Sequence, residues 1–169
     1  MSSGLIRINQ LDSESAQLQF LNCCGSRKFA LFLELKRPYR DLMALEIAMS
    51  EIEAQMSTAD WFEAFSAHPQ IGSKKVSANE TQKVWSEKEQ QGVSAATDEV
   101  KRELRVLNES YFKKFGFIFL ICATGLTAEE MLEALRERVW HSKEIEIKTA
   151  CEEQKKITRI RLGKLLNPE

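Results

Sequence analysis

The 169-residue chain contains two histidines, and one of them, His68, stands in the stretch Ala67-His68-Pro69-Gln70-Ile71-Gly72. Imidazole is the side chain that gains and loses a proton near neutral pH. Pro69 disfavours helical geometry at the residue before it, so His68 falls where a helix ends, and Gly72 permits a turn just beyond. That placement suits proton transfer, and it suits equally a histidine that only caps helix carbonyls. A second cluster, Ser86-Glu87-Lys88-Glu89-Gln90, offers a hydroxyl, a carboxylate and an amide. The spacing of Ser86 and Glu89 predicts a capping box opening a helix. A helix N-terminus also favours anions, so both residues, with Gln90, could serve a ligand. Arg161 carries a permanently charged planar fork suited to a carboxylate, or else a stem that packs while its head reaches water. His141 follows Trp140 in a polar link and reads as a surface residue. Cys122 lies in an apolar run without a basic neighbour in sequence, which favours a buried thiol over a nucleophile.

The elements that must position these groups read as helices. Asn9 and Asp12-Ser13 are caps for a helix over 9–24, with Leu18, Leu21 and Cys24 at helical spacing. Gly25-Ser26 punctuates, and a helix from Arg27 to Lys36 stops before Pro38. Asp41 caps a third helix to about Met56, with Leu42, Leu45, Ile47, Ala48, Met49 and Ile52 turned inward. Ser57 to Phe65 forms a short amphipathic helix leading to His68. Ile71 to Thr81 is polar and reads as a loop. A long helix from Thr97 to Phe115 carries Val100, Leu104, Leu107, Tyr111 and Phe115 on one stripe and ends at Gly116. The most apolar segment, Phe117 to Ala123, is compatible with an extended buried stretch or a buried helix, because periodicity does not separate them. Thr127-Ala128-Glu129-Glu130 is another capping box, and a last helix spans about Glu144 to Leu166. These elements predict an all-α fold: a single-domain helical bundle of roughly six to eight helices over residues 1–169.

Composition narrows the function classes. Lys plus Arg total 24 against 25 Asp plus Glu, a balance that favours neither nucleic acid nor an anionic membrane. No apolar run approaches the roughly 20 residues needed to span a bilayer. The cysteines Cys23, Cys24, Cys122 and Cys151 form no C-x-x-C pair or Cys/His cluster, so neither a metal site nor a disulfide framework is expected. A reducing, cytoplasmic setting follows. Met1 to Gln10 lacks the apolar core of a signal peptide, and Asn167-Pro168-Glu169 is not a peroxisomal address, although a peroxisomal location stays open.

Four motifs, in order, are similar to the OHCU decarboxylases, which act on 2-oxo-4-hydroxy-4-carboxy-5-ureidoimidazoline (OHCU) in urate degradation. They are His68-Pro69-Gln70-Ile71-Gly72, Ser86-x-x-Glu89-Gln90, Asn108-x-x-Tyr111-x-x-x-Phe115-Gly116-Phe117 and Lys156-Ile157-x-x-Ile160-Arg161-Leu162. Cys23-Cys24-Gly25-Ser26 and Arg37-Pro38-Tyr39 resemble the plant-type and some bacterial members. The resemblance implies an all-α homodimer without metal or organic cofactor, converting OHCU to (S)-allantoin. Its catalytic histidine falls on His68, its glutamate on Glu89 and its carboxylate-binding arginine on Arg161. Further substrate contacts fall on Pro69, Ser86, Gln90 and the segment Phe119, Leu120, Ile121, Cys122 and Ala123. Plant-type relatives are often fused to a transthyretin-like hydrolase. This chain carries no such segment, so functional coupling to a separate hydroxyisourate hydrolase is expected. The other class of reading is a helical interaction module without chemistry, since apolar stripes and caps report helices rather than catalysis.

Overall fold

The computed structural model describes residues 2–72 and 80–167. Among these residues the regular elements are all helical: α1 (Ser3–Gln10), α2 (Ser13–Cys24), α3 (Arg27–Leu35), α4 (Leu42–Ala54), α5 (Thr58–Ser66), α6 (Glu80–Glu89), α7 (Gln91–Ser94), α8 (Asp98–Phe115), α9 (Ala128–Arg138) and α10 (Lys143–Leu166). The all-α class is as expected, but ten helices exceed the six to eight predicted. The excess comes from pieces too short to show a period, such as the four-residue α7. It comes also from α1, which ends where the Asp12 carboxylate accepts the Ser15 amide at 2.8 Å and starts a new helix. No helix among the described residues is long and apolar enough to cross a membrane.

The chain divides into two compact units, residues 1–64 with 155–169, and residues 65–154. In the first, α2 packs on α3 and α3 on α4. Gly25 adopts φ 87°, which closes α2 and frees Ser26 to cap α3 through the Phe29 amide. Phe20, Phe29, Leu33, Leu45 and Met49 are buried. Asp41 caps α4 as predicted, accepting from the Ala44 amide at 2.8 Å. Two residues expected inside are not there: Leu42 and Ile47 are each about half exposed. Helical spacing places an apolar residue on a stripe but does not say how wide the covered stripe is. Arg159 ties the C-terminal half of α10 to α4, donating to Glu46 at 2.7 Å and Glu53 at 2.9 Å.

In the second unit α8 packs on α9. Thr97 caps α8, and Gly116 ends it with φ 82° and its amide on Phe112 O, as the spacing predicts. The apolar segment after it is neither helix nor strand, and Phe117, Phe119, Leu120 and Ala123 are buried. The Tyr111 ring meets Phe115 at 4.6 Å and Phe119 at 5.5 Å, anchoring the segment to α8. The capping box at Thr127 and Glu130 is present. Of the stretch read as a loop over 71–81, Ile71 and Gly72 form a turn and Glu80 and Thr81 already belong to α6, while 73–79 lies outside the described residues. The Ser86–Glu89 capping box is a misreading. The helix has begun at Glu80, so both residues sit at its C-terminal end, where the Gln90 amide bonds Ser86 O at 3.0 Å.

Candidate active site

Helix α6 sets the character of the second unit because it turns polar residues inward. Gln82, Ser86 and Glu89 are spaced four and three residues apart, hence on one face. All three are buried, whereas Val84 on the same helix is 42% exposed. A helix that buries its polar stripe and exposes an apolar residue inverts the usual pattern, and burying a polar group costs free energy unless it is hydrogen-bonded. Glu89 also lines a cavity of about 490 Å³ with Lys88, Gly92, Thr124, Leu126 and Thr127.

His68 follows the end of α5, its amide bonded to Phe65 O at 3.2 Å, and its side chain is buried. Pro69 thus ends the helix as expected. The ring Nε2 lies 2.9 Å from Oε1 of Gln154 on α10, a residue with no solvent exposure. The turn after the histidine is clamped by Gln90, which joins α6 to α7, and by Asn108 of α8. Gln90 Oε1 accepts the Gly72 amide at 3.0 Å, and Gln90 Nε2 reaches Pro69 O at 3.5 Å. Asn108 Nδ2 donates to Leu104 O at 2.8 Å and, more weakly, to Ile71 O at 3.4 Å. The residue next to Glu89 therefore holds the residue next to His68, so the structure brings these two motifs together.

The segment from Phe119 to Ala123 is fixed from behind. Arg138 Nη1 donates to Leu120 O at 2.8 Å, and its guanidinium lies 4.6 Å from the centre of the Phe119 ring. The same guanidinium pairs with Glu146, which also accepts from the Tyr111 hydroxyl. Burial, reinforced by the Glu146 carboxylate, pushes the Tyr111 phenol well above its ordinary range. Farther along, the Cys122 amide donates to Glu153 Oε2 at 2.7 Å. Cys122 itself is half-buried rather than buried, as is Ile121. His141, read as a surface residue, is half-buried with Nδ1 2.8 Å from Glu146 Oε2. Sequence reasoning missed Gln154, Arg138, Glu146 and Glu153. One signal was available, since Glu146, Ala150 and Gln154 recur every four residues in α10 and share one buried face.

Arg161 belongs to the first unit. Its head does not reach water: the residue is 1% exposed and Nη1 donates to Asn22 O at 3.3 Å. The neighbouring thiols of Cys23 and Cys24 are pushed up to about 12 by burial, a rise that the Arg161 charge opposes, so they stay protonated and inert. A guanidinium kept this dry is costly unless its donors are satisfied, and the Asn22 carbonyl satisfies one of them.

The chain is similar to known proteins in sequence and in fold. The chain is 41% identical over 150 residues to the uric acid degradation bifunctional protein TTL of Arabidopsis thaliana, covering 86% of this chain and 45% of that protein. It thus spans less than half the length of that relative. It is 26% identical to the 2-oxo-4-hydroxy-4-carboxy-5-ureidoimidazoline decarboxylase of Haloferax volcanii, over 98% of this chain and 97% of that one. A crystal structure of OHCU decarboxylase in the presence of (S)-allantoin superposes with a TM-score of 0.75 at 39% identity, covering 92% of this chain and 99% of that chain. The OHCU decarboxylase family profile matches residues 9–163, a range that includes His68, Glu89 and Arg161 and makes the chain a member of that family.

Proposed function

We propose that this protein decarboxylates OHCU to (S)-allantoin, the last step of converting urate to allantoin. The observation that carries the reading is the inward polar stripe of α6, tied through Gln90 to the turn that begins at the buried His68, in a chain of this family. The C–C bond to the carboxylate breaks, carbon dioxide leaves, and its electron pair passes into the heterocycle as an enolate-type anion. A proton then returns to one face of the ring. Because the substrate is its own electron sink, no Schiff base, pyridoxal phosphate or metal is needed. Arg161 holds the leaving carboxylate through its bidentate fork. His68 carries the proton, and Glu89 hydrogen-bonds the ring or ureido N–H groups. Ser86, Gln90, Pro69 and the Phe119–Ala123 segment hold the heterocycle and exclude water.

Residues 1–169 act as one such domain, functionally coupled to a hydroxyisourate hydrolase activity, within a homodimer in the cytoplasm. The outward apolar side chains of α3 and α4 support the dimer, since exposed apolar patches of this kind mark interaction sites. The test of the activity is circular dichroism of freshly generated OHCU. The wild-type protein accelerates a signal with the sign of (S)-allantoin. His68→Ala leaves only slow, racemic decay, a loss of at least ~100-fold as is typical for a general acid–base group. Unchanged enantiomeric excess from His68→Ala rejects the assignment.

A further inference from the structure

We infer that Gln154 is a positioning residue that locks His68 in one tautomer, so that the proton traffic of the reaction runs through Nδ1. The inference rests on the proposed decarboxylase reading and deepens it. A neutral imidazole has one N–H donor and one bare acceptor nitrogen, and the partner of one nitrogen decides the state of the other. Gln154 presents its carbonyl oxygen to Nε2 at 2.9 Å. A carbonyl oxygen only accepts, so Nε2 must hold a hydrogen, and the neutral ring then has its lone pair on Nδ1. When the ring is protonated, the Nε2 proton stays committed to Gln154 and the Nδ1 proton is the one delivered.

The environment makes the lock firm. Gln154 has no solvent exposure and His68 is buried, so water does not compete for this bond. Neighbouring positions of α10 are anchored independently: Glu153 holds the Cys122 amide and Glu146 holds Arg138. The glutamine is thus delivered by a rigid helix rather than by a loop. Glutamine rather than glutamate at this position fixes the tautomer without placing a negative charge against the imidazole, which would hold it as imidazolium and blunt its return of the proton.

Histidine carrying the NMR-active nitrogen isotope gives two imidazole spin systems in this chain, assigned with His68→Gln and His141→Asn. At a pH where His68 is neutral, the wild type shows an Nε2–H pattern for that ring. Gln154→Met, close in volume but without the acceptor, shifts His68 to a tautomer mixture and lowers kcat by roughly ten- to a hundredfold with KM little changed. Gln154→Glu restores the acceptor, keeps the Nε2–H form in the neutral ring, and moves the pH at which His68 titrates upward. An Nδ1–H pattern in the wild type overturns the inference. So does a folded Gln154→Met variant with the wild-type tautomer or undiminished kcat. The NMR arm needs no substrate, so loss of the decarboxylase reading and loss of the tautomer lock are told apart.

Discussion

At the scale of single residues, Arg161 is a charge held out of water. Its guanidinium is 1% exposed and donates from Nη1 to Asn22 O, beside two thiols that burial keeps neutral. Lysine keeps the charge at this position but loses the planar fork. Arg161→Lys is expected to lose one charge-assisted hydrogen bond to the substrate carboxylate, about 1.5–3 kcal/mol, or roughly ten- to a hundredfold in kcat/KM. Steady-state rates on fresh OHCU check this, and a loss below ~3-fold would remove Arg161 from carboxylate binding. At this scale the sequence was informative about identity and poor about surroundings. His68, Glu89 and Arg161 stood out through family motifs, and all three are buried. The bland alternatives failed for Arg161, whose head is dry, and for Ser86 and Glu89, which end α6 instead of opening it. Each of those alternatives assumed solvent or a helix end at a place that only neighbouring elements could specify.

At the scale of elements, the segment Phe117–Ala123 shows how a piece of chain without regular hydrogen bonding is held in place. Its Leu120 carbonyl is satisfied by Arg138, its Cys122 amide by Glu153, and its Phe119 ring lies against both Tyr111 and the Arg138 guanidinium. Backbone polar groups buried outside helices need such partners. Arg138→Leu would take the guanidinium from the Glu146 carboxylate, which has no exposure and is left with Tyr111 and His141, and strip the donor from Leu120 O. Removing one member of a buried pair costs about 3–5 kcal/mol. The single variant should show that loss in urea midpoints, and Arg138→Leu with Glu146→Leu should recover a large part of it. Equal losses in the single and double variants would mean that the pair does not carry the cost. The caps of α2, α4 and α9 were legible beforehand because each is a contact between residues three apart. The partners of the Phe117–Ala123 segment were not, since 18 and 31 residues separate them from the groups they satisfy.

At the scale of the molecule, the two tyrosines report on integrity together. Burial raises both the Tyr39 and Tyr111 phenols above the ordinary range. The unfolded chain releases these protons from about pH 10 while the folded chain holds them. Stability is therefore level below about pH 10 and falls as pH rises beyond it. Tyrosinate absorbance should appear together with loss of helical circular dichroism, and phenolate forming in a fully helical protein would contradict this burial. The outward apolar side chains of α3 and α4, Leu35 at 63% and Met43 at 66% exposure among them, make a second whole-molecule prediction. Leu35→Glu with Met43→Glu should convert the proposed dimer to a monomer in light scattering without changing helix content. A monomeric wild type rejects the homodimer, and a variant that stays dimeric moves the interface elsewhere. By itself the sequence determined the helical class, most helix ends and the family, because caps, glycine stops and motif order are written within a few residues of one another. Which faces those helices bury was decided only by tertiary structure. The polar stripe of α6, the glutamine behind His68 and the dry guanidinium of Arg161 depend on desolvation by residues distant in the chain, which no local spacing encodes.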